Sequence, residues 1–154
     1  MKRYLSVVVA VLLAGTLGLG VRDYLRSQCG GETVSAGAEA ETVADRVWNY
    51  SMDHPEGFTL DISHWTEPCE GICVAYRETQ DSHSREALSE VVRHALTHDG
   101  YVGGWLDTSD SLYYFDSDRL FPEDSVEAAI RFGRENGQLA IYVLSTGEEI
   151  RLDE

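Results

Sequence analysis

Residues 84–115 decide the fold, and they are SREALSEVVRHALTHDGYVGGWLDTSDSLYYF. The first half has apolar residues at helical spacing, and the residues that share one helix face are Leu88, Val91, Val92, Ala95 and Leu96. Ser84 is a favourable N-cap, and Gly100 is typical of a helix end. This stretch therefore predicts an amphipathic helix over Ser84–Thr97.

The second half of the same stretch predicts two strands. Tyr101–Asp107 and Leu112–Phe115 are rich in aromatic and β-branched residues, and the polar turn Thr108–Ser111 separates them. A helix that leads directly into a hairpin is a unit of an α+β fold.

Further elements lie on both sides of this unit. Alternating patterns predict strands around Phe58–Ile62 and Ile72–Tyr76, and a short helix over Ala44–Met52 buries Val47 and Trp48. A second long helix is predicted to begin at Pro122 and to end at Gly137. The residues of this helix that are expected to face the core are Val126, Ala129, Ile130 and Gly133. The apolar run Leu139–Leu144 predicts a central strand buried on both faces, and an edge strand follows with Ile150 and Leu152.

The order of these elements indicates the fold class. From Ile72 to Leu144 the order is β-α-β-β-α-β, which predicts a ferredoxin-like (split βαβ) antiparallel sheet with two helices on one face. The additional strands extend the sheet at its edges. The predicted acidic α+β domain covers residues 44–154, and its fold alone does not indicate a function.

The N-terminal residues predict a membrane segment. Tyr4–Val21 is uncharged, follows Lys2 and Arg3, and is long enough to span a bilayer, so residues 1–27 are interpreted as a signal-anchor with the C-terminal domain outside the cytoplasm. The alternative is a secreted or periplasmic protein after signal cleavage near Gly18 or Gly20. Residues 28–43 are small and polar, which predicts a flexible linker.

The charge of the chain limits its partners. The net charge is −15, because 27 acidic residues stand against 12 Lys and Arg. Such a surface repels phosphate backbones, so nucleic acid is excluded as a partner. A protein or small ligand is expected instead. The acidic composition is equally well explained as a general feature of proteins from the source organism, unrelated to function.

Four residues form the sharpest candidate site. Cys69 and Cys73 flank a turn, and His94 and His98 lie one helical turn apart, so together they have the composition of a Cys2His2-type structural zinc site. The preferred interpretation is a Cys69–Cys73 disulfide, because an exported domain meets oxidising conditions. Cys29 is left over and is free to pair with a second chain.

Three weaker groups of candidate residues also have ordinary structural roles as explanations. Asp107, Asp110, Asp116 and Asp118 could bind Ca²⁺, but Asp is also common in hairpin turns. The aromatic residues with a possible ligand role are Trp48, Trp65, Trp105, Tyr113 and Tyr114, beside the open backbone of Gly103 and Gly104. The polar residues considered for acid–base chemistry are His64, His83, Glu78 and Asp81.

No catalytic or phosphate-binding motif occurs in the sequence. The expected function is therefore a small non-enzymatic binding domain of the cell envelope, either membrane-tethered or exported. A zinc-stabilised domain is the first alternative. An enzyme with a dispersed site is the second.

Overall fold

The computed structural model describes residues 36–152 as an α+β domain with one six-stranded antiparallel sheet and three α-helices. The predicted membrane segment and the first half of the predicted linker, residues 28–35, lie outside the described residues. Within residues 36–152, no helix is both long and apolar enough to cross a membrane.

The first helix is longer than the sequence predicted. Helix α1 spans Ala36–Asp53, so residues 36–43 belong to a helix and not to the linker. The small residues of this stretch explain the difference: Ala40 and Ala44 are fully buried beside Val47, where α1 packs closely against the neighbouring helix. Trp48 is only partly buried at the edge of the same core.

The remaining elements follow in the predicted order. Strands β1 and β2 span Phe58–Asp61 and Ile72–Ala75, helix α2 spans Arg85–Thr97, and strands β3 and β4 span Tyr101–Asp107 and Leu112–Phe121. Helix α3 then spans Val126–Glu135, and strands β5 and β6 span Ala140–Val143 and Glu148–Arg151. Short 3-10 helices at Arg77–Thr79 and Glu123–Ser125 precede α2 and α3.

The strands lie in the order β1-β3-β4-β2-β5-β6, with every neighbouring pair antiparallel. The early strand β1 and the late strand β6 extend the two edges of the sheet. Strand β5 lies between β2 and β6, one position from the edge, and not at the centre as its apolar run had suggested.

Helices α2 and α3 pack against the same face of the sheet. Residues of α2 contact Val102 and Phe115, and residues of α3 contact Val74 and Ile141. Val74 pairs with Arg119 across strands β2 and β4, and Arg119 is four residues from Phe115, so both belong to one face. We name this surface the helix-bearing face and its reverse the opposite face.

Helix α2 begins and ends as its sequence predicts. The Ser84 side chain accepts a hydrogen bond from the backbone N–H of Ala87 at 3.1 Å. Gly100, with a φ of 80°, donates to the carbonyl of Ala95 after the helix end. Leu88, Val91, Val92 and Ala95 are fully buried, but Leu96 is 39% exposed because it lies at the margin of the apolar face.

Helix α3 differs from its prediction at its first turn. Ala129 and Gly133 are buried, and Ile130 is partly buried in the same cluster. Val126 is 37% exposed at the first residue of the helix, directly after the 3-10 turn Glu123–Ser125.

Replacing Leu88 with Ala in the full-length chain is expected to lower the free energy of unfolding by about 2–5 kcal/mol, since a fully buried side chain leaves a cavity. Leu96→Ala on the same helix is the control, with an expected loss below about 1 kcal/mol. Urea unfolding in neutral detergent micelles, followed by tryptophan fluorescence, measures both. Equal losses would contradict the assigned packing of α2.

Candidate functional sites

Two polar clusters distinguish this domain, one on each face of the sheet. The first, the acid–thiol cluster, consists of Cys73, Asp116 and Asp118 on the opposite face. The second, the α2 groove, lies on the helix-bearing side, between α2 and the 3-10 segment that follows β2.

Strand alternation builds the acid–thiol cluster. Strand β4 extends to Phe121, well beyond the predicted end at Phe115, so Asp116 and Asp118 lie on one strand face and not in a loop. Asp118 pairs with Ala75 and Cys73 pairs with Leu120, which brings the thiol and the carboxyl groups to neighbouring positions. All three side chains are buried.

The partners of this cluster are few and neutral. The indole Nε1 of Trp105 donates to Asp116 Oδ2 at 3.2 Å, and the Thr59 hydroxyl contacts Cys73 Sγ at 3.7 Å. Glycine at position 103 leaves room for the buried carboxyl group, because a Cβ there would clash with Asp118 Oδ2. Gly103, which the sequence analysis singled out for its lack of a side chain, thus lies against the carboxyl group of Asp118.

Burial without a cationic partner shifts the pKa of each acid upward. Burial raises the pKa of Asp116 to about 7, with the Trp105 hydrogen bond acting in the other direction. Burial, followed by repulsion from Asp116, raises the pKa of Asp118 well above its usual range. The Cys73 thiol also has a raised pKa, first from burial and then from Asp118, so it is a poor nucleophile.

The α2 groove is open to solvent and has a volume of about 370 Å³. The side chains that line it include Glu78, Thr79, Ser82, Glu90, Arg93 and His94. Arg93 forms an ion pair with Glu90 on the same helix. Glu78 is exposed at the other wall, and within residues 36–152 it forms no ion pair.

The imidazole of His94 is held in a fixed orientation. Its Nδ1 lies 2.9 Å from the hydroxyl oxygen of Ser117, which is fully buried beneath it. Its ring stacks on that of His98, with 3.7 Å between centroids. Burial, followed by the proximity of His98, lowers the pKa of His94, so the ring is neutral at pH 7.

A tyrosine joins this histidine pair. The ring of Tyr76 lies edge-on to His94 and His98, at 4.9 and 5.1 Å between centroids, and its hydroxyl donates to Asp99. Burial and the bond to Asp99 raise the pKa of Tyr76 to about 12. Tyr76 therefore stays protonated and acts as a packing group beside the groove.

The four proposed zinc ligands do not come together. The side chain of Cys73 belongs to the opposite face, whereas His94 contacts Ser117 on the helix-bearing face. Among the described residues, no group of three or more His, Cys, Asp and Glu is arranged to hold a metal ion. The sheet itself separates the thiol from the imidazoles.

Cys69 and Cys73 are both free thiols in the structure, one exposed and the other buried. Cys73 points into the opposite face beside Thr59. The predicted disulfide stays a prediction, which thiol counting on protein from its native compartment can decide.

The weaker candidates have local roles. Asp107 and Asp110 shape the hairpin turn by accepting backbone N–H groups, and Asp110 also accepts from the Tyr114 hydroxyl at 2.8 Å. They lie at the hairpin tip, apart from the buried Asp116 and Asp118. Exposed His64 bonds to Asp61 at 2.8 Å, and exposed His83 lies against the Tyr114 ring.

The aromatic residues divide between the two faces. Trp105 and Tyr114 stack at 5.0 Å on the opposite face, and Tyr113 packs with Phe115 on the helix-bearing face. Trp48 contacts Phe115 in the core, and Trp65 lies under the guanidinium of Arg46. Core packing therefore accounts for most of them.

Sequence reasoning missed Ser117 and did not predict that Glu78 and His94 line one groove. Strand β4 was predicted to end at Phe115. Had it been extended, the alternation of Tyr113, Phe115 and Ser117 would have placed the serine under α2.

Comparison of the chain with protein-family models, curated proteins and solved structures finds no significant match.

The acid–thiol cluster makes stability depend on pH. The folded-state pKa of Asp116 is raised above its unfolded value of 3.8, so its contribution is complete below about pH 4 and is lost as pH rises through about 7. The expected loss in this window has a limiting slope of about 1.4 kcal/mol per pH unit for one group.

Asp116→Asn is expected to flatten this slope, because the amide keeps the shape of the side chain and does not ionise. Asp53→Asn, at the exposed end of α1, is the control for the loss of one acid. Urea unfolding of the full-length chain between pH 5 and 8 measures the effect. Parallel curves for wild type and Asp116→Asn would contradict it.

Proposed function

We propose that the protein is a non-enzymatic binding domain, displayed outside the cytoplasm, whose ligand binds in the α2 groove. The observation that carries this proposal is the fixed neutral imidazole of His94 facing the unpaired carboxylate of Glu78 across the groove. The volume of about 370 Å³ is within the range of small-molecule sites.

The charges of the groove favour a cationic ligand. Arg93 is neutralised by Glu90, and His94 is neutral at pH 7, so Glu78 is the unbalanced charge. The net charge of −15 attracts cations to the whole surface. An ammonium group that bonds to Glu78, with the rest of the ligand against His94, satisfies both conditions.

Binding is favoured over catalysis by the surroundings of the potential nucleophiles. Ser117 bonds to His94 but is fully buried, and Cys73 is buried on the other side of the sheet. Neither atom faces the groove ligand. An enzyme would have to use His94 and Glu78 alone as acid and base. Among the described residues that line the groove, no further group is placed to hold the reacting atom of a substrate between them.

Export supports the same proposal. The uncharged Tyr4–Val21 segment anchors the chain in a membrane or directs its secretion, and the acidic domain then faces partners outside the cytoplasm. We also propose that this domain has a ferredoxin-like fold, a class that supports many unrelated binding functions; the strand order β3-β4-β2-β5 within the sheet supports this proposal.

The groove is tested with 1,4-diaminobutane as a probe and 1,4-butanediol as its uncharged analogue, by chemical-shift titration of the full-length chain in detergent micelles. We expect the diamine to shift Glu78, Arg93 and His94 and to bind more tightly than the diol. Glu78→Gln is expected to weaken the diamine about threefold to fivefold, the scale of an exposed ion pair.

Glu127→Gln on helix α3 is the matched control, because it removes the same charge from an exposed site outside the groove. Equal weakening by both substitutions would show attraction by net charge alone and would refute the groove. Binding is also expected to weaken at acid pH, because protonated His94 repels the cation.

Membrane anchoring gives a separate test. The full-length chain is expected to remain in membranes after alkaline washing, and protease added outside intact cells or spheroplasts should digest its domain. Leu12→Arg is expected to release the chain, since a central arginine costs about 2.5–3.5 kcal/mol of insertion free energy. Leu12→Ile should stay bound, and protection of the wild-type domain from external protease would exclude the proposed orientation.

A further inference from the structure

The two stacked histidines of helix α2 differ in the group that lies beside Nδ1. His98 Nδ1 lies 2.8 Å from the backbone carbonyl oxygen of His94. A carbonyl oxygen only accepts hydrogen bonds, so in the neutral His98 ring Nδ1 carries the proton. The Ser117 hydroxyl beside His94 Nδ1 can donate or accept, so the tautomer of His94 depends on the other partners of that hydroxyl.

The Ser117 hydroxyl has no other hydrogen-bond partner among the described residues. The backbone groups of Ser117 are paired separately, because its N–H donates to Thr79 Oγ1 and its carbonyl accepts from the N–H of Tyr76, both at 2.9 Å. The residue is fully buried, so the hydroxyl proton needs an acceptor inside the protein, and His94 Nδ1 is that acceptor. A proton on Nδ1 would leave the hydroxyl proton without an acceptor, which disfavours that tautomer by about fivefold or more.

The second ring nitrogen of His94 is open to solvent. Within residues 36–152, His94 Nε2 forms no hydrogen bond, and it is not one of the buried polar atoms that lack a partner. Because Nδ1 is directed at Ser117 on the sheet, Nε2 is directed away from the sheet, and the ring lines the α2 groove. With Nδ1 accepting from Ser117, Nε2 carries the ring proton and is a hydrogen-bond donor.

We propose that Ser117 is a positioning residue that fixes His94 as a hydrogen-bond donor, and that the groove ligand is therefore an amine that also carries a hydroxyl group. This inference rests on the function proposed above. Glu78 accepts from the ammonium group, and His94 Nε2 donates to the hydroxyl oxygen of the same ligand. A second ammonium group offers His94 no lone pair, and the net charge of −15 disfavours a carboxylate in that place.

The tautomers are measured by long-range proton–nitrogen correlation spectra of the full-length chain, labelled with nitrogen-15 in histidine, in detergent micelles at about pH 8. At that pH an imidazole with the ordinary pKa of about 6.5 is neutral. We expect the proton on Nε2 in His94 and on Nδ1 in His98, so the second ring is an internal control. The signals of His94 are identified by their loss in His94→Gln. A proton on Nδ1 of His94 would overturn the proposal.

Substitutions of serine test whether Ser117 is the cause. Ser117→Ala is expected to give His94 a mixture of both tautomers, seen as nitrogen shifts that approach each other, and Ser117→Thr should retain the proton on Nε2. Ser89→Ala is the control, because it removes another largely buried hydroxyl, which is bonded to Arg85 and Glu41. An unchanged His94 pattern in Ser117→Ala would contradict the role of Ser117. If that variant does not fold, the wild-type spectrum still decides the tautomer.

The ligand class is tested with 4-amino-1-butanol and pentylamine, which have the same charge and similar length but differ in the hydroxyl group. Chemical-shift titration is expected to show about twofold to tenfold tighter binding of the amino alcohol, the scale of one hydrogen bond. This preference should disappear in Ser117→Ala, whereas Glu78→Gln should weaken both amines alike. Equal affinities in the wild type would exclude the hydroxyl contact. Failure of both amines to bind would refute the proposed function itself, and the His94 spectrum would still decide the tautomer.

Discussion

Strand β4 is the element on which the rest of the structure depends, because its side chains alternate between two different environments. Phe115 and Ser117 face the helices, whereas Asp116 and Asp118 face the other way. The strand also pairs with β3 along one edge and β2 along the other. A shift of one residue in its register would place both carboxylates under α2 and move Phe115 to the opposite face.

The two faces of the sheet follow different rules of stabilisation. The helix-bearing face is closed by aliphatic and aromatic side chains, whose burial provides most of the favourable free energy. The opposite face contains buried acids without a cation, which are tolerated only when protonated or hydrogen-bonded. Strand β4 thus joins an ordinary hydrophobic core to a region whose stability depends on protons and internal hydrogen bonds.

The α2 groove uses the same strand in another way. Ser117 is buried, yet its hydroxyl reaches upward to fix the ring of His94, so the orientation of a groove residue is set by the sheet below. The stacked His98 and the edge of Tyr76 complete the support. Because Ser117 and His98 already fix the ring of His94, little further conformational entropy is lost when a ligand in the groove contacts it. This is the property of a preorganised binding residue.

Local patterns in the sequence were sufficient for the class of fold, the helices α2 and α3, and the hairpin of β3 and β4, because periodicity and capping are set by neighbouring residues. The antiparallel sheet and the added edge strands were predicted from element order. Local patterns failed where packing decides. Residues 36–43, with the fully buried Ala40, are helical because they pack in the core that α1 shares with α2, and Val126 is exposed at the first residue of α3.

The candidate sites depended on tertiary structure even more. Cys73 and His94 seemed to belong together by residue type, but the sheet lies between them. Asp116 and Asp118 seemed to be loop residues, because charged side chains in a strand contradict its usual preferences. Only the pairing of β4 with β2 and β3 places these acids beside Cys73 and Gly103. Contacts between residues so far apart in the chain produce no periodic pattern in the sequence, so they could not be predicted from it.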